Sequence, residues 1–216
     1  MRETLAAPVE RQFDNPEQQR EAATMGIWLF LATEVLLFGG MFLGYTVYRH
    51  AYPAAFAEAS RHTLIVLGSI NTAVLLISST AMAFAVRAAR GNRRGLLGFL
   101  LLVTASLGGL FLVIKGFEYA GEISEGLLPG RNFHVEATDP SHAEMFFYIY
   151  WLTTGVHALH VLIGVVLIAF FALRAWFCNA FANHDTPVDL LGLYWHFVDI
   201  VWVFLFPLLY LVNRHS

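Results

Sequence analysis

Five ionisable side chains lie inside stretches of sequence that are otherwise almost entirely apolar. Glu34 interrupts the run GIWLFLATEVLLFGGMF. His157 and His160 lie three residues apart in GVHALHVLIG, and His196 and Asp199 repeat that spacing in LYWHFVDIVW. Residues three apart on a helix occupy adjoining positions on one face. A charge at the centre of a bilayer costs about 2.5 to 3.5 kcal/mol on the insertion scale, so such groups face protein or water and are the candidates for chemistry.

Imidazole and carboxylate groups at this depth allow two interpretations. Histidine binds haem iron and other metals, so the histidines are candidate axial haem ligands or metal ligands. Alternatively, each imidazole bonds a carboxylate, hydroxyl or carbonyl on a neighbouring helix and locks the two helices together. We favour the second interpretation because a metal site needs several convergent ligands and groups that orient them. Glu34, His157, His160 and Asp199 lie at similar predicted depths, so an interhelical polar cluster is geometrically feasible.

Other polar groups occur in two further apolar stretches. Lys115 and Glu118 are spaced i, i+3 in KGFEYAGE, which favours a local ion pair that lowers the cost of burial. Asn71 and its neighbour Thr72 interrupt another run, where small polar residues often mediate close helix contacts. We therefore interpret Asn71 and Thr72 as packing residues and Lys115 and Glu118 as a local ion pair.

The composition indicates the elements that would position these groups. Apolar residues make up 57% of the 216 residues and charged residues 13%, which favours a membrane protein over a soluble domain. A helix needs about 20 apolar residues to cross a bilayer. We predict an all-α, five-helix transmembrane bundle in a single domain, residues 24–213, after a polar cytoplasmic segment, residues 1–23. The predicted helices are approximately 24–48, 63–86, 95–117, 143–173 and 192–212.

The short basic connection RAARGNRR, residues 87–94, sets the predicted orientation. Positively charged residues near helix ends stay preferentially in the cytoplasm, so we expect a cytoplasmic N-terminus and an external C-terminus. The polar N-terminal segment lacks the apolar core of a cleaved signal peptide. We interpret the basic connection as a topology signal and expect no nucleic-acid partner.

The chain lacks the sequence motifs of common metal, nucleotide and hydrolytic chemistry. Its single cysteine, Cys178, excludes an internal disulfide, a CxxC zinc pair and a CxxCH haem attachment. We expect Cys178 to fill space at the inner membrane edge. GxxxxGK[ST], GxSxG and HExxH motifs do not occur. We therefore expect no catalytic residue, metal or cofactor site in this chain.

Five segments occur in the order and spacing typical of subunit III of haem-copper oxidases. They are WLFLATEVLLFGGMF, GSINTAVLL, FEYAGEISEG, YWLTTGVHALHVLIG and GLYWHFVDIVWVFLF. The resemblance covers nearly everything from Met25 to Tyr210. The chain resembles the short bacterial form of the family, which has five helices and lacks the first two helices of the seven-helix form.

The resemblance implies a non-catalytic subunit of a proton-translocating terminal oxidase of aerobic respiration, in the bacterial inner membrane. Haem and copper would belong to partner subunits, foremost the catalytic subunit I. Glu34 corresponds to the family's buried, carbodiimide-reactive glutamate. Subunits of this type bind phospholipid, border a proton-uptake route and protect the metal centre from turnover-linked inactivation. Our candidates for buried polar, lipid-contact or subunit-contact residues are Glu34, Asn71, Glu118, His157, His160, His196 and Asp199.

Three alternatives stay open at this point. An accessory subunit of nitric oxide reductase shares the helical pattern, and neighbouring genes would distinguish it. An independent proton-coupled carrier would use Glu34 and the histidines as a relay, and would move protons or substrate in vesicles that hold only this chain. A small haem-bearing anchor would place His157 or His160 opposite His196, and the purified chain would show a haem absorption band.

Overall fold

The structure is a computed structural model that describes residues 11–130, 133–135, 137–177 and 186–211, and these ranges contain six helices and no β-strand. The helices are α1 Pro16–Ala51, α2 Pro53–Ser60, α3 Ile65–Arg90, α4 Arg94–Ser124, α5 Pro140–Phe177 and α6 Thr186–Tyr210. Among these described helices, all except α2 are long and apolar enough to cross a membrane. The prediction of an all-α protein with five membrane-spanning helices is confirmed. The predicted position of Cys178 lies outside the described residues.

The helices extend beyond the apolar segments from which we predicted them. α1 begins at Pro16, inside the polar N-terminal segment, because the Asn15 side chain caps it by accepting a 2.8 Å hydrogen bond from the backbone N–H of Gln18. α4 continues to Ser124 and α6 begins at Thr186. Hydropathy identifies the part of a helix that the bilayer requires, whereas caps decide where the helix begins. The short α2 has no transmembrane signal and was not predicted.

The long helices alternate in direction, which gives the bundle two distinct ends. At the end that we call the basic end, Arg90 of α3 forms a 3.3 Å salt bridge with Asp189 of α6. The opposite end, the loop end, carries α2 and the connection between α4 and α5. α3, α4, α5 and α6 pack on one another to form the core, while α1 contacts α2, α5 and α6 at the periphery.

α1 contributes one narrow stripe to the core. The side chains that it buries are Leu31, Phe38 and Tyr45, which are seven residues apart, and the Tyr45 hydroxyl donates to the carbonyl of Leu208. Most of its other large apolar side chains, such as Leu36, are exposed. A helix that buries one seam leaves the rest of its circumference for lipid or for another protein. α1 is therefore the outer wall of the bundle.

Trp195 of α6 fills the centre of the bundle between two glycines. A Cβ atom placed on Gly108 of α4 would lie 2.7 Å from Trp195 Cη2, and one on Gly164 of α5 would lie 2.7 Å from Trp195 Cζ3. The indole N–H donates to Ser78 Oγ of α3 at 3.2 Å. Small residues let membrane helices approach closely, and here they create the space for one of two fully buried tryptophans.

A polar clamp holds α2 against the start of α5 at the loop end. The His142 ring stacks on the Tyr52 ring at 3.5 Å, and His142 Nδ1 donates to Asp139 Oδ2 at 2.6 Å. This hydrogen bond from His142 holds the pKa of the Asp139 carboxyl below its usual range. Glu58 of α2 accepts a 3.0 Å hydrogen bond from the backbone N–H of Thr138. The clamp thus closes the bundle outside its apolar segments.

Candidate functional site

A groove between α1, α5 and α6 opens to the exterior with a volume of about 690 Å³. It runs from the middle of the bundle to the basic end, because its lining includes the first half of α1, the second half of α5 and the start of α6. Most of the lining side chains are apolar, and two of the exceptions are Glu34 and His160. The lining residues are Ile27, Phe30, Glu34, Leu159, His160, Ile163, Leu167, Phe171, Pro187, Leu190, Leu191 and Tyr194.

Glu34 and His160 form a hydrogen-bonded pair across this groove. Glu34 Oε2 of α1 lies 2.9 Å from His160 Nε2 of α5, and His160 Nδ1 lies 2.8 Å from the carbonyl oxygen of Val156. A carbonyl oxygen only accepts, so Nδ1 carries a hydrogen. Nε2 and Oε2 then share one proton, either as neutral imidazole with carboxylic acid or as imidazolium with carboxylate. Both arrangements have no net charge, which makes the pair compatible with an apolar groove.

Aromatic side chains fix the position of this imidazole. The Phe38 ring of α1 meets the His160 ring edge-on, with centroids 5.4 Å apart. The hydroxyl of Tyr194, on α6, donates to the backbone carbonyl of His160 at 2.9 Å. All three walls of the groove therefore meet at His160.

The structure separates His157 from the predicted interhelical cluster. His157 is fully buried between Trp202 of α6, whose ring stacks on it at 5.1 Å, and Phe111 of α4, at 5.6 Å. Neither ring nitrogen has a hydrogen-bond partner within the described part of the chain. Although His157 and His160 are neighbours on α5, one points into the core and the other towards α1.

The remaining polar candidates of α3 and α6 also differ in their surroundings. His196 Nδ1 lies 2.8 Å from the hydroxyl of Ser79 on α3. Asp199 is 3% exposed and Asn71 is fully buried, and neither side chain has a hydrogen-bond partner among the described residues. Buried polar groups usually have partners, and ordered water supplies them where the chain does not. Asp199 does not join Glu34 and His160.

No metal-ligand constellation occurs in the described ranges, where no three His, Cys, Asp or Glu side chains are close enough to hold one ion. Two histidines of the haem-anchor alternative are hydrogen-bonded to different partners. His160 is bonded to Glu34, and His196 to Ser79. These hydrogen bonds join α1 to α5 and α3 to α6.

A second polar cluster lies in the core near the loop end, and the sequence indicated only part of it. Lys115 Nζ donates to Glu118 Oε2 at 3.1 Å, to Tyr150 Oη at 2.8 Å and to Tyr210 Oη at 2.6 Å. Tyr210 Oη lies 2.7 Å from Glu118 Oε1, and Tyr150 Oη lies 2.6 Å from Glu122 Oε1. We call these five residues the Lys115 cluster. It joins α4, α5 and α6.

The local ion pair between Lys115 and Glu118 is present as predicted. Glu122 could also have been found, because it follows Glu118 at helical spacing in FEYAGE. Tyr150 and Tyr210 carried no such signal, since tyrosine is common in membrane helices and these two lie 32 and 92 residues from Glu118.

Comparison with known proteins identifies the family. A family model described as cytochrome c oxidase subunit III matches residues 14–213. A protein named "Cytochrome c oxidase subunit 3" from Synechocystis is 32% identical over 188 residues, which cover 87% of this chain and 74% of the relative. Its namesake from Thermostichus vulcanus is 30% identical over 203 residues, covering 93% and 92%. "Cytochrome bo(3) ubiquinol oxidase subunit 3" from Pseudomonas aeruginosa is 28% identical over 208 residues, covering 96% and 93%.

These relatives confirm the resemblance that the five sequence segments indicated. They are the third subunits of oxidases, and the match to this chain includes α1 and the loop-end clamp as well as the core helices. The described residues, with their five apolar helices, agree with a multi-pass membrane protein. The chain belongs to the cytochrome c oxidase subunit III family.

Proposed function

We propose that this chain is the non-catalytic subunit III of a haem-copper terminal oxidase in a bacterial inner membrane. It packs against the catalytic subunit I, and partner subunits hold the haem and copper. The basic end faces the cytoplasm, because the short arginine-rich connection between α3 and α4 lies there. The names of the relatives support an oxidase over the alternatives of nitric oxide reductase and an independent carrier.

The observation that carries this proposal is the apolar groove with the Glu34–His160 pair in its wall. A groove of this kind on a membrane-facing surface suits the acyl chain of a phospholipid. The groove runs towards the basic end, where α1 carries Arg20 and α5 carries Arg174, and arginines suit a phosphate headgroup. The shared proton leaves the pair without net charge, so an acyl chain can lie beside it without facing an uncompensated charge. Bound lipid would thus complete the surface that α1 leaves uncovered.

The subunit would act by keeping lipid and water ordered at the cytoplasmic entrance of the proton-uptake route in subunit I. Deleting this chain should leave the haem spectra of the oxidase intact while turnover decays faster during steady oxygen consumption. Inactivation kinetics equal to those of the complete oxidase would remove the protective role. Restoring the chain in the same strain serves as the control.

Filling the groove should displace the lipid. In Ile163→Trp, an indole would occupy space in the groove, so we expect less phospholipid to copurify with the oxidase. Val166→Trp is the matched control, because Val166 lies on the same helix, is 60% exposed and is not among the groove-lining residues. Lipid mass spectrometry of the purified complexes measures the difference. Equal lipid content in the two variants would contradict a lipid in this groove.

The state of the pair can be read from two substitutions of Glu34. In Glu34→Gln, the amide can still donate to a neutral His160 Nε2, so we expect assembly and thermal stability close to those of the wild type. In Glu34→Ala, His160 loses its partner, and we expect a loss of about 1 to 3 kcal/mol. Thermal unfolding of the purified oxidase compares them. If Gln proves as damaging as Ala, the carboxyl group itself is required at this position, and proton pumping by the Gln variant then shows whether it supports proton uptake.

A further inference from the structure

The Lys115 cluster contains more acidic groups than cations. Lys115, Glu118 and Glu122 are 2%, 0% and 3% exposed, so none of them is solvated by bulk water. With all three ionised, the cluster would carry one net negative charge in the core of the bundle. Buried charges are paired in proteins because an isolated one is very costly. One carboxyl group therefore needs a partner beyond Lys115.

The hydrogen bonds show which carboxyl group this is. An ammonium group has three donors, and Lys115 directs all three to Glu118, Tyr150 and Tyr210. Glu118 thus has the ammonium group as its direct partner. Glu122 makes no salt bridge with any cation in the described part of the chain, and its Oε2 has no hydrogen-bond partner there.

The hydrogen bonds around the Tyr150 hydroxyl oxygen show where an additional proton is needed. This oxygen lies 2.6 Å from Glu122 Oε1 and 3.0 Å from Glu118 Oε1, and it already accepts from Lys115. Tyr210 Oη is also 3.2 Å away, but it lies closer to Glu118 Oε1, at 2.7 Å, and donates its proton there. A hydroxyl has one proton, so Tyr150 can donate to only one of the two carboxyl oxygens. An added proton on Glu122 resolves the conflict, since Glu122 then donates to Tyr150 and Tyr150 donates to Glu118.

We propose that Glu122 holds this added proton, so that the Lys115 cluster is a neutral proton-binding site near the loop end. Tyr150 connects the protonated carboxyl group of Glu122 to the ionised one of Glu118. The proposal is independent of what the subunit does in the oxidase, because it follows from charges and distances within the bundle alone.

None of the salt bridges among the described residues joins Glu122 to a lysine, an arginine or a histidine. The Tyr119 hydroxyl of α4 is hydrogen-bonded to the Thr154 hydroxyl, 2.7 Å away. The exposed Glu125, one turn beyond Glu122, adds a further negative charge. α3 has no ionisable residue before Arg87, at the opposite end of the bundle. α6 contributes Tyr210, and α5 contributes Tyr150 and the fully buried His157, whose ring lies between Trp202 and Phe111. Nearer the start of α5, His142 is bonded to Asp139, and Glu144 accepts from the backbone N–H of Gly130. A proton on Glu122 is the simplest charge compensation within these described elements.

Infrared spectroscopy of the purified oxidase tests the proposal, because a protonated carboxyl group has a carbonyl stretch that shifts in D₂O. In Glu122→Gln, one such band should disappear. In Glu118→Gln, the band should also disappear, because Lys115 then faces a single carboxyl group and Glu122 ionises. Glu125→Gln is the control, and its spectrum should match that of the wild type in this region.

A carboxylic-acid spectrum that is unchanged in Glu122→Gln would overturn the proposal. Persistence of the Glu122 band in Glu118→Gln would overturn it too, because Glu122 would then hold its proton for a reason other than charge balance with Lys115 and Glu118. Tyr150→Phe gives a second reading in case the Gln variants fail to assemble. It keeps both carboxyl groups and should move the Glu122 band, since Glu122 loses the hydroxyl to which it donates. An unmoved band would contradict the shared hydrogen bond.

Discussion

Replacement of Lys115 by methionine is expected to lower the free energy of unfolding of this subunit by about 3 to 5 kcal/mol. Methionine keeps the length of the side chain but removes the ammonium group. Glu118 would then be a fully buried carboxylate without its cation, and the hydroxyls of Tyr150 and Tyr210 would each lose a donor. Denaturant unfolding of the oxidase in detergent, followed by the release of this chain, measures the effect.

Two comparisons separate the loss of the buried ion pair from the loss of a charge in general. Arg90→Gln removes the salt bridge to Asp189, in which the Arg90 side chain is 62% exposed, and should cost no more than about 1 kcal/mol. The double variant Lys115→Met with Glu118→Leu should be more stable than Lys115→Met alone, because no unpaired carboxylate remains. Equal stabilities of Lys115→Met and Arg90→Gln would contradict a buried ion pair.

Truncation of Trp195 to alanine should also cost about 3 to 5 kcal/mol. The indole is fully buried and fills the space between Gly108 and Gly164, which have no side chains to fill the resulting cavity. Its hydrogen bond to Ser78 would also be lost. The control is Trp28→Ala on α1, where the side chain is 59% exposed and faces away from the core. Thermal unfolding of the two variants measures the difference.

The adjacent glycines of α4 provide a matched test of the same packing. In Gly108→Ala, the new methyl group would meet Val165 at 2.6 Å and Trp195 at 2.7 Å, so we expect a loss of about 1 to 3 kcal/mol. In Gly109→Ala, the methyl group would meet nothing within 4 Å, and alanine is the better helix former. Comparable losses in both variants would mean that α4 is rotated relative to α6 from the arrangement described here.

Hydropathy was sufficient to predict the number of spanning helices. It did not predict where the helices begin, which depends on capping. An apolar run of about 20 residues must form a helix because lipid offers no partner to the backbone, and this requirement acts on each segment independently. The first span was predicted from residue 24, whereas α1 begins at Pro16. The cytoplasmic position of the N-terminus stays a prediction from the arginines.

The sequence predicted the members of the candidate site at Glu34 and His160 less well than it predicted the helices. The sequence identified Glu34 and His160 as polar residues at membrane depth, but it suggested that His157 and Asp199 would join them. On α5 a rotation of a few tens of degrees decides whether His157 or His160 faces α1. Periodicity places residues on a face of their own helix and leaves open which neighbour that face meets.

The amino-acid sequence by itself determined that five helices cross the membrane, that a few ionisable groups are carried with them, and to which family the chain belongs. Each of these properties is local or is additive along the chain. Only the tertiary structure decided that Glu34 bonds His160 in an open groove and that Tyr150 and Tyr210 complete the Lys115 cluster. Those pairings depend on the rotation and packing of whole helices, so a hydrogen bond between residues 126 positions apart appears only when the bundle is assembled.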